Sequence, residues 1–460
     1  WSLMMANTEK LDTHHKALTL NLAASTFGSF AEIGAGQEVA RWFLKVGGAS
    51  GTVAKTISAY DKEVSDDLYG SGSRYVSKQR LEAMLDKEWS DLQTQLCKTR
   101  GPQTRFFSFA NTVEASNYAG TNDPQGWIGL RFQLQPGGPP NDIVLHINLR
   151  DPANALQQEA IGILGVNLIF AAFYQLRTME SFLDGLTEDV VRQRIEIDFA
   201  EVRGPAFSGW DQQTLHAHLV HAGFAEVVCF SSKGTAIPPG EALHKRAAVL
   251  APGYFSHVDA THAQIHIQLL AAGVQELRKE LGEAVAAPIG FFCLTAAAFE
   301  PGAPVPEIPD LLRRINALLR QGGDVLLFRE PQLYAMTGLV NRYTRAPLRF
   351  VVGLSLLIRA FEDPYGNLEG RRFEALARLF AQNVRIYAYP MTLADLQEWL
   401  KDNSAASWEW SETNGVVTAK ELRHKPPLGH LYGYLLASNF LVSIETPASS
   451  TAKSESAAPG

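Results

Sequence analysis

Residues 195–230, IEIDFAEVRGPAFSGWDQQTLHAHLVHAGFAEVVCF, decide the fold. An apolar run, a Gly/Pro-bearing loop, an amphipathic helical pattern and a second apolar run follow one another, which reads as strand, helix, strand. Similar apolar runs alternate with helical patterns from there to about Tyr389. That alternation is the pattern of a parallel sheet with crossover helices. The expected class is α/β, with a mostly parallel, Rossmann-like sheet in the C-terminal half, founded by the strand at Ile195. An N-terminal α+β region, helices plus a small antiparallel or mixed sheet, precedes it. The expected divisions are residues 1–190, 191–445 and a disordered Ser/Ala/Pro-rich tail at 446–460.

Toward the C-terminus, a helix with the stripe Leu215, Leu219 and Ala222 is ended by Gly223, and apolar strands are expected at 227–230, 247–250, 289–294, 325–328, 348–352 and 384–389. Helical patterns separate them at 260–281, 309–320, 333–343, 354–361 and 368–382, and a helix at 393–401 with a closing segment at 431–444 ends the fold. The strand at 384–389 alternates Val384, Ile386 and Ala388 with Arg385, Tyr387 and Tyr389, the pattern of a sheet edge. Toward the N-terminus, a short strand is expected at 17–22 and helices at 37–46, 52–68 and 77–96. Strands at 104–110, 127–135 and 143–149 would form the small sheet, with helix 153–176 buried on its apolar face. Gly162 and Gly165 suit tight packing of that helix, and Asn167 reads as a hydrogen-bonded core amide.

A chain of 460 residues with 46% hydrophobic content can fill two or three domain cores. The net charge of −7 offers no broad basic footprint, so neither nucleic acid nor an anionic membrane surface is an expected partner. Cys97, Cys229 and Cys293 are far apart and read as reduced thiols. The opening WSLMMANTEKLDTHH has no basic segment followed by an apolar core, so no secretory signal is expected. The apolar run at 160–174 is shorter than the roughly 20 residues of a membrane span and reads as a core helix. The expected location is the cytoplasm.

The recognised catalytic motifs are missing. GGASGTVAKT at 47–56 has alanines where a Walker loop needs glycines and follows a helical pattern, so it reads as a connection between helices capped by Ser50 or Thr52. No GxGxxG or GxSxG follows a strand, and Asp198 lacks the second aspartate of a DxD motif. His216, His218 and His221 share one helix, and His262 and His266 another, without the HExxH glutamate; no metal is expected. Ser208 to Asp211 has capping-box spacing, with the serine as cap.

The strand-end rule for open sheets supplies the candidate site. It selects Arg203, Ser208, Asp211, Ser231, Ser232, Lys233, Thr295, Arg329, Glu330, Gly353 and Ser355, with Arg342, Tyr389 and Pro390 nearby. Charge concentrates the ligand-binding expectation on Arg203, Lys233, Arg329, Glu330 and Arg342. No cofactor and no catalytic residue is assigned.

At QQEAIGILGVNL (157–168), FSGWD (207–211), NRYTRAP (341–347) and YPM (389–391), the chain resembles a family of bacterial and algal proteins over most of residues 15–445. Some of them carry the labels nicotinamide-nucleotide adenylyltransferase or TonB-dependent receptor. The second label implies a barrel of many strands of about ten alternating residues, which this sequence lacks. The first implies an HxGH motif, of which PLGH at 427–430 keeps two residues, far from a first strand. No catalytic residue is carried over. The functional expectation is a cytosolic enzyme or binding protein for an anionic, nucleotide-like metabolite, with a homo-oligomer as a further expectation. The alternative is a non-catalytic scaffold that self-associates through the apolar hairpin and residues 408–410.

Overall fold

Phenylalanine-rich strands build the first core. The computed structural model describes residues 11–444 apart from 73, 191, 256–259, 284–285, 299–304, 364 and 403–405. Contacts divide the chain into two compact units, Trp1–Val228 and Cys229–Gly460. The first unit begins with α1 (Thr13–Leu22), β1 (Thr26–Gly34), α2 (Glu38–Lys45), β2 (Val53–Ile57), α3 (Lys62–Tyr69) and α4 (Lys78–Arg100). It continues with β3 (Arg105–Glu114), β4 (Gln125–Gln133), β5 (Pro140–Leu149), α5 (Asn154–Tyr174), α6 (Met179–Leu186), β6 (Ile195–Arg203) and α7 (Gln212–His221). The six strands form one mixed sheet in the order β2-β1-β3-β4-β5-β6. Its β2, β1 and β3 run parallel, and β3 to β6 are antiparallel neighbours.

Phe107 and Phe132 meet Phe173 of α5 at ring distances of 6.1 and 5.6 Å, so α5 covers their face. Leu81 and Leu85 of α4 lie against Gly129 on the other. Helix α5 is long and apolar enough to cross a membrane, but 78% of its apolar window is buried inside the unit. Asn167, in its middle, accepts from the buried Lys16 ammonium at 2.7 Å and donates to the carbonyls of Leu186 and Glu188. The amide is satisfied, as expected.

Three local expectations change. Residues 17–22 belong to α1, not to a strand. The first strand is Thr26–Gly34, whose Gly28, Ser29 and Gly34 dilute the β pattern. Gly28 is there for space, because a Cβ would sit 2.5 Å from the Phe107 ring. The helix expected over 52–68 is strand β2 followed by α3, so the glycine-rich connection at 47–51 leads into a strand.

The opening stretch also divides. Strand β6 does not found the parallel sheet; it closes the first sheet, antiparallel to β5 from Leu149↔Ile195 to Asp142↔Arg203. It resembled a central parallel strand because it is buried on both faces, and α7 covers its open edge: the Ala200 N–H donates to His216 Nε2 at 3.3 Å. The boundary between the units falls within β7 (Val227–Phe230), later than residue 190.

After β7 come β8 (Ala236–Ile237), α8 (Pro239–Leu243), β9 (Ala248–Pro252), α9 (Ala260–Leu281), β10 (Ile289–Thr295), α10 (Ile308–Arg320) and β11 (Asp324–Phe328). Then follow α11 (Leu333–Tyr343), β12 (Leu348–Gly353), α12 (Leu354–Glu362), α13 (Arg371–Leu379) and β13 (Val384–Tyr389). The chain ends with β14 (Met391–Thr392), α14 (Leu393–Asp402), β15 (Trp408–Trp410), β16 (Val416–Val417), β17 (Leu422–His424), α15 (Leu428–Ala437) and β18 (Leu441–Ser443). Eight strands form the second sheet, in the order β18-β13-β12-β9-β10-β11-β7-β8. The pairs between β18 and β11 are parallel. Strand β13 is interior, not an edge, because the short β18 pairs with it. The tail at 446–460 lies outside the described residues. The α/β class stands, with a large, mostly parallel C-terminal sheet.

Candidate functional site

Numbering β9, β10, β11, β12, β13 and β18 from one to six gives the order 3-2-1-4-5-6 of doubly wound dinucleotide-binding sheets. From β9 the chain proceeds outward through β10 and β11, then returns to place β12 on the other side of β9. Connections leave β9 and β12 in opposite directions, which opens a crevice at their carboxyl ends. A cavity of about 280 Å3 occupies that place.

Three strand ends shape it. Beyond β9, Gly253, Tyr254 and Phe255 form one wall. Arg314 of α10 fixes this wall, donating from Nη1 to the Tyr254 carbonyl at 2.8 Å with its guanidinium 4.5 Å from the Tyr254 ring centroid. Phe255 has φ of 47°, an uncommon left-handed conformation for an aromatic residue, and its ring meets His266 of α9 at 4.9 Å.

Beyond β12, the chain enters α12 directly, with Gly353 as N-cap and no side chain capping the first turn. Tyr389, at the end of β13, lies over that turn: a Cβ on Gly353 would be 2.9 Å from the Tyr389 hydroxyl oxygen. Burial raises the pKa of this phenol above its ordinary value. Ser355 and Arg359, one turn apart on α12, and Trp399 of α14 complete the lining, with the Arg359 guanidinium 5.7 Å from the Trp399 ring centroid. Among the described lining residues there is one cation, Arg359, and no carboxylate. A helix N-terminus, a guanidinium and several aromatic faces thus meet at one cavity, a set that suits an anion attached to a planar group.

The charged residues expected from strand ends are spread apart. Arg203 lies in the first unit, paired with Glu82 and, at 2.7 Å, with Glu201. Lys233 is exposed in the β7–β8 turn. Neighbouring Ser232 donates its N–H to Asp324 at 2.6 Å, which puts this turn beside the start of β11. Arg329 and Glu330 do follow the end of β11, two strands from the switch point. Arg342 sits in the last turn of α11, ahead of β12, against the Tyr343 ring at 5.8 Å.

Gly353, Ser355 and Tyr389 are the members of the strand-end set that line the cavity. Sequence reading missed Tyr254, His266, Arg359 and Trp399. Arg359 had a usable signal, since it stands four residues after Ser355 on the helix leaving β12.

Other expectations resolve structurally. Lys55 pairs with Glu88 at 2.8 Å and is no phosphate-loop lysine. The cap of α7 is Asp211, accepting from the Thr214 N–H at 2.8 Å, and not Ser208. His216 uses both ring nitrogens, on the Gln212 carbonyl and the Ala200 N–H, while His218 faces Glu180 at 3.3 Å. Burial pushes the His216 pKa down to about 4. The side chain of His262 lies outside the described residues. One group of three potential metal ligands occurs among the described residues, the exposed Asp12, His14 and His15. Of the surfaces expected of a scaffold, Ile128, Leu130, Phe132 and Trp408 are buried, the last against Phe361 and Tyr432, while Leu134 is exposed and Trp410 half-buried.

No family model and no curated protein matches the chain. Among solved structures, it is similar to the competence/damage inducible protein CihA from Agrobacterium tumefaciens, at 19% identity over 35% of this chain and 95% of that one, with a TM-score of 0.26. It is also similar to a competence-damaged protein (CinA) superfamily protein from Enterobacter cloacae, at 12% identity over 37% and 98% of the two chains, with a TM-score of 0.26.

Proposed function

We propose that the second unit binds a small anionic metabolite with a planar group, of the nucleoside monophosphate type, at the switch point between β9 and β12. One observation carries this reading: the uncapped N-terminus of α12, Arg359 and the aromatic walls of Tyr254, Tyr389 and Trp399 all border the same cavity. The first-turn N–H groups of α12 and the Arg359 guanidinium take the phosphate, and the ring lies among the aromatic side chains. A volume of about 280 Å3 is at the lower limit of the roughly 300–1,000 Å3 of small-molecule sites, which favours a mononucleotide over a dinucleotide. The loop after β9 also carries a single glycine, Gly253, in place of the GxGxxG pattern that brings backbone close to a pyrophosphate. Such a ligand suits a cytoplasmic enzyme or sensor.

Isothermal titration calorimetry with nucleoside monophosphates, the parent nucleosides and inorganic phosphate tests the proposal. The monophosphates should bind more tightly than either fragment. Arg359→Gln should weaken the monophosphates about tenfold or more while changing nucleoside binding little. If no phosphate-bearing compound binds the folded protein, or if Arg359→Gln binds them unchanged, the reading fails.

A further inference from the structure

The first unit has a cleft of its own, and its chemistry is different. A cavity of about 550 Å3 opens where the three parallel strands β2, β1 and β3 end. Ile33 and Gly34 come from β1, Thr112 to Glu114 from β3, and Tyr60 stands three residues beyond β2. Asn154 and Gln158 approach from the first turns of α5. The carboxyl-end rule that points to the switch point in the second sheet therefore also points here.

The floor is tight and the rim is open. Gly34, at φ of 78°, is pressed so close to β3 that a Cβ would lie 2.2 Å from the Val113 carbonyl oxygen. A Cβ on Gly36 would meet the Asn111 amide at 1.9 Å. At the rim, Tyr60 is 77% exposed, an aromatic face that no packing requirement explains.

Charge decides the ligand class. No lysine, arginine or histidine lines the cleft among the described residues, and Glu114 contributes a carboxylate. The neighbouring helix N-terminus is already occupied by an acid, because buried Glu32 accepts from the Ala40 N–H at 2.8 Å and the Val39 N–H at 3.2 Å. An anion would meet the Glu114 carboxylate and no lining cation, since Lys62 and Arg80 lie against the Tyr75 ring, at 5.7 and 5.1 Å, and not in the lining. A hydroxylated neutral ring would find the amides of Asn154 and Gln158, which hydrogen-bond to no other described residue, the Glu114 carboxylate and an aromatic face.

We propose that this cleft binds an uncharged, polyhydroxylated small molecule, a monosaccharide or a nucleoside. Tyr60 lies on the face of its ring, and Asn154, Gln158 and Glu114 hydrogen-bond to its hydroxyls. Saturation-transfer NMR and calorimetry on the full chain, with panels of monosaccharides, nucleosides and the phosphate ester of each, test this. At least one uncharged compound should bind; whether it is a sugar or a nucleoside identifies the source.

Tyr60→Ala and Gln158→Ala should each weaken it fivefold or more with an unchanged circular dichroism spectrum, since neither side chain is in the core. Adding a phosphate should weaken binding here at least tenfold, and Arg359→Gln should leave this site unaffected. Failure of every uncharged compound to bind overturns the proposal. So does binding indifferent to both substitutions, or Tyr60-dependent binding that a phosphate strengthens.

Discussion

Glu32 and Asp198 are both buried in the first unit, yet protons act on them in opposite directions. Burial raises Glu32 from 4.5 to about 7, against the lowering effect of hydrogen bonds from Ala40, Asn111 and Val39. The folded state therefore holds this proton when the unfolded chain has lost it. Stability from Glu32 is fully present below about pH 4.5 and is lost as pH rises through about 7. Glu32→Gln, which mimics the neutral acid, should gain stability relative to the parent between pH 5 and 8 in urea titrations; a pH-independent difference would show that the acid does not titrate there.

Asp198 behaves otherwise. Burial pushes it up, but His146, whose Nδ1 lies 2.5 Å away, together with Asn148 and Arg150, brings its pKa below 3.8. Its contribution is present above pH 3.8 and is lost as pH falls through the lower folded value. Asp198→Ala should therefore cost roughly 3–5 kcal/mol near neutrality, with the deficit shrinking in acid. A deficit that stays constant down to pH 3 would mean that the Asp198 carboxyl is not held below its ordinary range. Neither role was legible in the sequence, where Asp198 was one of three acids, with Glu196 and Glu201, in an otherwise apolar run. A register shift between β5 and β6 brings it beside His146, 52 residues away.

At the scale of elements, the long helices were read well, and the short helices α1 and α6 and the parallel strands β1 and β2 of the first sheet poorly. The stripe Leu311, Ile315, Leu318 and the all-round apolarity of α5 are local signals, and both helices formed where expected. Packing explains α5 more fully than periodicity does. A Cβ on Gly165 would lie 2.2 Å from a Val39 methyl, so Gly165→Ala should cost roughly 1–3 kcal/mol. Gly209→Ala, at a position with nothing within 4 Å, should stay within about 0.5 kcal/mol in the same denaturation assay. Equal effects would contradict the close approach of α2 and α5. The cap of α7 gives a second comparison: Asp211→Ala should cost about 1 kcal/mol and Ser208→Ala almost nothing. The sequence pointed to Ser208 because serine and aspartate stand three residues apart, the spacing of a capping box, and both are good caps. Backbone geometry settles it by starting the helix at Gln212.

At the scale of the whole molecule, each unit has its own sheet and its own core. Calorimetry of the full chain should resolve two transitions. Phe109→Ala, in the first core, and Leu326→Ala, in the second, should each lower a different one by the roughly 2–5 kcal/mol of a large core truncation. A single transition displaced by both substitutions would mean that the units unfold together. Sequence by itself determined the α/β class, the positions of the longer strands and helices from α7 to α14, and the short list containing Gly353, Ser355 and Tyr389. These follow from periodicity, glycine stops and apolar runs, all of which act over a few residues. Only tertiary structure decided which sheet each strand joined. Residues 195–230 show the reason: their strand, helix and strand formed as read, but β6 pairs with β5 and β7 joins the second sheet. Strand pairing is a choice among distant partners, and an apolar strand covered on both faces carries no local mark of the partner it will take. The switch-point cavity depended on that choice, which is why Arg359 and Trp399 emerged only once β12 was placed beside β9.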